Sequence, residues 1–161
     1  MGVNRQRPHV NVLPEDGANR QLANGFRLPL DFTAFWQMQV LPVAGGWRRV
    51  LESFEADLVP TMRRYPSGFT VLAIDFDGNA ERLHVAKNVI PQDLADTVFI
   101  LGVLSEPEEL KRALKKEYEA IGKAMAGECR DGTGTIWDHE LLRHNAGELA
   151  RLRESVRSIL F

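Results

Sequence analysis

A short apolar run, residues 69–78, ends in two carboxylates separated by one residue, Asp75 and Asp77, followed by Gly78. The run is hydrophobic at positions of both faces, which is typical of a strand buried on both faces in a parallel sheet between helices. Because side chains at i and i+2 of a strand point the same way, the pattern predicts that Asp75 and Asp77 project together from the end of this strand.

Three further segments have the character of strands. They are residues 9–14, residues 35–43, where apolar and polar positions partly alternate, and residues 97–104. The partial alternation in residues 35–43 indicates a strand nearer the edge of the sheet than residues 69–77.

Apolar residues recur at helical spacing between the predicted strands and after them. The helical segments are residues 18–26, 47–62, 105–127 and the region after about 137. Pro60 is expected to kink or end the second of these helices, and Ser105 is expected to cap the third, with Glu108 completing a capping box.

Strands that alternate with helices predict an α/β fold with three layers, in which a mostly parallel four-stranded sheet is flanked by helices. The length of 161 residues suits one domain. We expect its core to span about residues 9–127, with a C-terminal helical extension over about residues 137–161.

Composition and charge restrict the class of protein. The chain is 44% apolar and 26% charged, as in ordinary soluble domains, and its apolar runs are too short to cross a bilayer. A net charge of −2 provides no global attraction to nucleic acid. The single cysteine, Cys129, and the lack of an apolar leader after the first residues predict a cytoplasmic protein.

A second acidic residue follows a predicted strand, because Glu15 comes directly after residues 9–14. The carboxyl ends of parallel strands meet at one edge of a sheet, where open α/β proteins bind their ligands. If the two strands are neighbours, Glu15, Asp75 and Asp77 converge on one cation, and their hard oxygens suit Mg²⁺ or Mn²⁺. The alternative is an ordinary strand-end turn, since Asp-Gly is common in turns.

Several of these segments together resemble the Toprim domain, which topoisomerases, bacterial primases and OLD-type nucleases share. The resemblance is carried by Val12-Leu13-Pro14-Glu15, Pro42-Val43-Ala44-Gly45-Gly46, Ile74-Asp75-Phe76-Asp77 and Ser105-Glu106-Pro107-Glu108. It covers about two-thirds of the chain. Asp16 departs from the pattern, because glycine usually follows the family's glutamate.

The resemblance implies a Toprim-like fold and a function. Asp75 and Asp77 would hold Mg²⁺ or Mn²⁺, Glu15 would be a metal ligand or general base, and Glu106 would be a further acidic ligand. The activity implied is metal-dependent phosphoryl transfer, most simply by a small nuclease that hydrolyses phosphodiesters. Neither Tyr65 nor Tyr118 can be singled out as a nucleophile, which favours activated water.

Two alternatives remain open at the level of the sequence. The chain could instead be a non-catalytic interaction subunit that works beside a separately encoded ATPase or nuclease, as its weak overall charge favours. The partners compatible with the resemblance are nucleic acid, such an ATPase and a second copy of the chain in a homodimer.

The second alternative is a phosphatase. Residues 74–78 also resemble the first motif of haloacid-dehalogenase-type phosphatases, but Asn79 stands where that family has threonine or valine. Two predicted strands also precede the motif, which that family places on its first strand.

The tryptophans do not suggest a surface for stacking bases. Trp36, Trp47 and Trp137 do not interleave with basic residues along the chain, so we expect them to pack in the core or against a partner.

Overall fold

The structure is a computed structural model that describes residues 2–161. The strands are β1 (His9–Pro14), β2 (Met38–Val40), β3 (Gly68–Ala73) and β4 (Val98–Leu101). The helices are α1 (Gly17–Arg27), α2 (Phe32–Phe35), α3 (Trp47–Ser53), α4 (Val59–Arg64), α5 (Glu81–Val89), α6 (Pro107–Leu114), α7 (Tyr118–Asp131) and α8 (Ala146–Leu160). No helix among these residues is long and apolar enough to span a membrane.

The four strands form one sheet in the order β2-β1-β3-β4, and every pair is parallel. Helices cover both faces, so the predicted three-layer α/β fold is confirmed. The central pair, β1 and β3, aligns Val12 with Val71 and Leu13 with Leu72. The expectation that β2 lies at an edge is also confirmed.

Successive residues of a strand point to opposite faces of the sheet and therefore pack in different core clusters. Leu13 and Leu72 pack with residues of α3, α4 and α5 on one face. Val12 and Val71 pack with residues of α1 and α8 on the other face, where a further cluster joins α1 to α7. Burial on both faces explains why β3 shows no alternation of apolar and polar residues.

The helix predicted over residues 47–62 does not end at Pro60 but continues to Arg64. A π-helical turn, Phe54–Leu58, connects α3 to α4, and Pro60 stands in the first turn of α4. The Val59 amide bonds back to the Phe54 carbonyl. Because the widened turn shifts the hydrogen bonding by one residue, the missing amide of Pro60 is accommodated and all these residues stay helical.

The helix predicted over residues 105–127 is two helices. Lys115 adopts a left-handed conformation (φ 53°) that ends α6, and α7 runs past Gly127 to stop at Gly132 (φ 75°). The N-cap position of α6 is Glu106, one residue later than predicted. The Ser105 hydroxyl instead donates to Glu109 Oε2 at 2.7 Å, so no capping box forms.

β2 is shorter than residues 35–43 because a helical turn precedes it. Asp31 caps α2 by accepting a hydrogen bond from the Ala34 amide at 2.9 Å. This cap keeps Phe35 in α2, and the strand begins only at Met38.

The C-terminal helix begins at Ala146, after turns and one 3₁₀ turn, Arg143–Asn145, rather than at about residue 137. Its buried residues Leu152 and Val156 belong to the same core cluster as Val10 and Phe99 of the sheet. α8 therefore packs directly against the sheet.

Candidate functional site

Glu15 and Asp75 lie together at the carboxyl edge of the sheet, because β1 and β3 are hydrogen-bonded neighbours. The Glu15 amide donates to the Ala73 carbonyl at 3.0 Å, which extends the pairing by one residue. The Glu15 side chain then reaches across, and its Oε2 accepts a hydrogen bond from the Asp75 amide at 2.8 Å.

Asp75 is a buried carboxylate with one unsatisfied oxygen. The residue is 4% exposed, and its Oδ2 accepts a hydrogen bond from Asn19 Nδ2 at 2.9 Å. Its Oδ1 has no hydrogen-bond partner of good geometry among residues 2–161. Burial raises the pKa of Asp75 to about 8, and the nearby carboxylates of Asp16 and Glu15 raise it too, while the hydrogen bond from Asn19 and the nearby backbone amide of Val103 lower it.

Asn19 is a site residue that the sequence pattern did not reveal. Asp16 caps α1, and its Oδ1 accepts hydrogen bonds from the backbone amide of Asn19 at 3.0 Å and from its side-chain Nδ2 at 3.2 Å. The cap thus fixes the amide that also binds Asp75. The sequence did contain one usable signal, the three-residue spacing from Asp16 to Asn19. When an Asp caps a helix, the residue three positions later donates its amide to the cap and so lies close to the end of the preceding strand.

Asp77 does not share the environment of Asp75. The regular strand ends at Ala73, and Asp77 (φ 47°) and Gly78 (φ 71°) are both left-handed, so the alternation of the pleat does not orient Asp77. Its Oδ2 forms an ion pair with Arg82 Nη2 at 2.8 Å.

Arg82, in the first turn of α5, is the second site residue that the sequence did not reveal. Besides pairing with Asp77, it donates from Nη1 to the Asp75 carbonyl oxygen at 2.8 Å. Its guanidinium carbon also lies 4.9 Å from the centre of the Trp47 ring. Its position five residues after Asp77 carried no pattern that would have singled it out.

The pKa of Glu15 shows that these charges act on one another. Burial raises it, the hydrogen bond from the Asp75 amide lowers it, and the carboxylates of Asp16 and Asp77 raise it, while Arg82 lowers it. The net shift is upward, so Glu15 takes up a proton more readily than an exposed glutamate.

Glu106, the fourth predicted ligand, is exposed at the start of α6. The loops approach each other, because the Asp77 amide donates to the Ser105 carbonyl at 3.2 Å. Within the described chain, however, the Glu106 side chain forms no hydrogen bond or ion pair with the other three acids.

The fit of these residues to a divalent cation is partial. Among residues 2–161, no three His, Cys, Asp or Glu side chains are grouped closely enough to hold a metal ion. Glu15 and Asp75 nevertheless suit one, since Asp75 Oδ1 is buried without a partner and both donors are hard oxygens. Asp77 could join them only if Arg82 released it.

Two of the three tryptophans pack in the core as expected. Trp137 is buried, with Nε1 donating to the Met125 carbonyl at 3.0 Å, and Trp47 packs against the core cluster of Leu13 and Leu72. Trp47 is also contacted by Arg48 at 5.1 Å and by Arg82, and the exposed Trp36 has Arg27 at 5.6 Å from its ring centre.

His144 lies behind the acidic loop. Its ring meets the Phe76 ring edge to face at 5.1 Å between centres, and neither ring nitrogen has a hydrogen-bond partner among residues 2–161. Burial lowers the pKa of His144. The lowered pKa and the ring contact with Phe76 favour the neutral imidazole over the charged form.

Comparison with known proteins adds no relative: no family model matches the chain, and no curated protein and no solved structure is significantly similar to it.

Proposed function

We propose that the chain is a Toprim-like, Mg²⁺- or Mn²⁺-dependent phosphoryl-transfer enzyme, most simply a small nuclease that hydrolyses phosphodiesters. The observation that carries this proposal is the buried, unpartnered Oδ1 of Asp75 beside Glu15, where two neighbouring parallel strands end. A carboxylate removed from water is costly unless it is protonated or paired with a cation. Two hard oxygens at a sheet's carboxyl edge provide such a pairing for a divalent ion.

The residues of the site divide the chemistry between them. The Asp75 amide holds Glu15 Oε2, which leaves Oε1 to ligate a cation or to accept a proton from water. The raised pKa of Glu15 suits it to the second task. Asn19 fixes Asp75 Oδ2, so that Oδ1 is the oxygen presented to a cation. A bound divalent ion would supply charge stabilisation at the phosphoryl group and orient the attacking water.

A second candidate is favoured by one observation, the ion pair of Asp77 with Arg82. An arginine in this position neutralises the site without a metal ion, as a non-catalytic subunit would require. Such a subunit would work beside a separately encoded ATPase or nuclease. Its partner could contact the exposed apolar residues Leu28 and Phe32, which are 56% and 82% exposed.

The first test is thermal melting with a chelator and with Mn²⁺ or Mg²⁺. A cation that binds only the folded protein raises its melting temperature by linkage. We expect this increase in the wild type and in Asp96→Asn, and we expect its loss in Asp75→Asn. Asp96 is a matched control because it is an exposed acid just before β4, near the amino ends of the strands and away from the candidate site. Equal increases in all three proteins would remove Asp75 from the site.

The second test is cleavage of plasmid and of single-stranded DNA in Mn²⁺. Glu15→Gln should lower the rate by orders of magnitude while the protein stays folded, because ligand and base are lost together. Activity that appears only with an added partner would favour the second candidate. If neither the chain alone nor the complex cleaves, the nuclease proposal is wrong.

A further inference from the structure

Arg82 is held too firmly to be a solvated surface charge. Its side chain is 16% exposed and has three contacts: the Asp77 carboxylate, the Asp75 carbonyl oxygen and the face of Trp47. A guanidinium presents its donors in a planar fork, so each contact fixes its orientation further. The chain thus places one firmly held cation beside the carboxylates of Asp77, Asp75 and Glu15.

The position of Arg82 makes it a competitor of any divalent ion at this site. It pairs with Asp77 Oδ2, and its charge lowers the pKa of Glu15. A second positive charge brought to Glu15 and Asp75 would repel the guanidinium and attract the Asp77 carboxylate. Metal binding and the Arg82–Asp77 ion pair are therefore linked energetically.

In an inference that depends on the proposed metal-dependent function, we propose that Arg82 is the phosphate-positioning residue of this site. It neutralises Asp77 in the metal-free protein. With Asp77 drawn to a bound divalent cation, the Arg82 guanidinium would be free to donate instead to the non-bridging oxygens of a phosphodiester. As in the proposed function, the support for a cation here is the buried Asp75 Oδ1, which lacks a hydrogen-bond partner among the described residues.

The surroundings of Arg82 suit such an exchange. Carboxylate and phosphate both accept two parallel hydrogen bonds from a guanidinium, so the same fork serves either partner. Trp47 supports the guanidinium from a half-buried ring that itself carries Arg48 on the surface. Arg49 lies beside the turn at Gly45, whose amide donates to the Glu15 carbonyl.

This role predicts opposite effects on two ligands, which a purely structural role would not produce. In Arg82→Met the cation no longer has to displace an arginine, so Mg²⁺ should bind about three- to tenfold more tightly. A labelled oligothymidylate, measured by anisotropy in Ca²⁺, should bind the same variant about tenfold more weakly because a phosphate contact is lost. Arg82→Lys should bring both affinities part of the way back toward the wild-type values, since it returns the positive charge but not the planar guanidinium.

Arg48→Met is the matched control. Arg48 also contacts Trp47, but it forms no hydrogen bond or ion pair with Asp75 or Asp77 in the described chain. Titration calorimetry should therefore give the wild-type Mg²⁺ affinity for this variant. A small loss of oligothymidylate affinity is compatible with its surface charge.

Trp47 fluorescence provides a measurement on the unaltered contacts. Movement of Arg82 away from the ring should change the emission as Mg²⁺ is added, and Trp47→Phe should abolish that change. If saturating Mg²⁺ leaves the emission of Trp47 unchanged, Arg82 stays in place and the inference is wrong, even if Arg82→Met fails to fold.

The outcomes separate this inference from the proposed function. If Mg²⁺ binds the wild type and Asp75→Asn abolishes binding, while Arg82→Met leaves both affinities unchanged, only the role of Arg82 is refuted. Weaker binding of both ligands to Arg82→Met would likewise assign it a structural role. If Mg²⁺ binds none of these proteins, the metal site itself is refuted, and the inference fails with it.

Discussion

At the scale of single residues, Asp75 and Asp77 have different physical situations although one residue separates them. Asp75 is buried and accepts one side-chain hydrogen bond, from Asn19, whereas half of the Asp77 side chain is exposed and an arginine neutralises it. Repulsion within the cluster therefore acts mainly on Asp75 and Glu15, whose pKa values are both raised. Ionisation of both residues therefore opposes folding, and the effect is larger for Asp75.

This difference predicts how stability depends on pH. The folded pKa of Asp75 is about 8 and its ordinary value is 3.8, so the folded state binds more protons than the unfolded state between these values. The free energy of unfolding should then fall as pH rises from about 4 to about 8, by roughly a few kcal/mol. In chelator, Asp75→Asn should lack this decrease and should be more stable than the wild type at pH 8.

Chemical denaturation across that pH range, analysed as the difference between variant and wild type, isolates this effect from other titrating groups. Asp96→Asn, near the amino ends of the strands, should follow the wild-type profile. Parallel profiles for Asp75→Asn and the wild type would show that Asp75 stays ionised on folding at no cost.

At the scale of elements, α1 and α7 cross where glycines allow their backbones to touch. A Cβ at Gly25 would overlap the backbone of Glu119, and one at Gly122 would overlap the backbone of Leu22 and Phe26. The close approach buries Leu22 and Ile121 in one cluster. Since α1 also carries Asp16 and Asn19, this crossing fixes the residues that hold Asp75.

Alanine substitutions should distinguish the crossing from an ordinary helix position. Gly25→Ala should lower the free energy of unfolding by about 1–3 kcal/mol or more, because the new methyl group has no space. Gly127→Ala, in the same layer, is the matched control: no atom lies within 4 Å of its added Cβ. It should stabilise the protein by up to about 1 kcal/mol, as alanine generally does in a helix. Urea denaturation measures both, and an equal effect at the two positions would contradict the close crossing.

At the scale of the whole molecule, the C-terminal segment closes the open edge of the sheet. Glu148 Oε2 accepts a hydrogen bond from the Ile100 amide at 2.9 Å, and the Asn145 side chain exchanges hydrogen bonds with the amide and carbonyl of Gly102. Burial opposes the ionisation of Glu148, but the Ile100 amide, Arg151 and Lys87 lower its pKa overall. Side chains of the C-terminal segment thus bond backbone groups at the free edge of β4 that a neighbouring strand would otherwise pair.

Removing this side chain should destabilise the whole domain. Glu148→Ala leaves the Ile100 amide and two cations without their partner, so we expect a loss of about 2–4 kcal/mol in the free energy of unfolding. Glu148→Gln should lose less at neutral pH, because an oxygen remains for the amide. Glu154→Ala, exposed on the same helix, should be nearly neutral.

The pH dependence has a defined sign here as well. Because the folded pKa of Glu148 lies below its ordinary value of 4.5, its contribution is present at neutral pH and is lost as the pH falls through the folded value.

A Glu148→Ala protein as stable as the Glu154→Ala control would show that the edge does not need this side chain.

The sequence by itself determined the layers of this fold and the approximate position of the acids. Hydrophobic periodicity depends on local geometry, so it identified all four strands, the helical segments that become α1 and α3–α4, and the strand ends that carry Glu15 and Asp75. It could not resolve Lys115 as a helix end, because a lysine rarely adopts a left-handed conformation and no neighbouring residue indicates one.

Only the tertiary structure decided what each acid experiences. Whether Asp75 is paired or isolated depends on Asn19 and Arg82, which lie on other elements and reach the site through the packing of α1 and α5. Charge effects on a carboxylate depend on distance and burial, and neither follows from spacing along the chain. The sequence could therefore predict where the carboxylates gather, and only the fold could show that one is buried and another is held by an arginine.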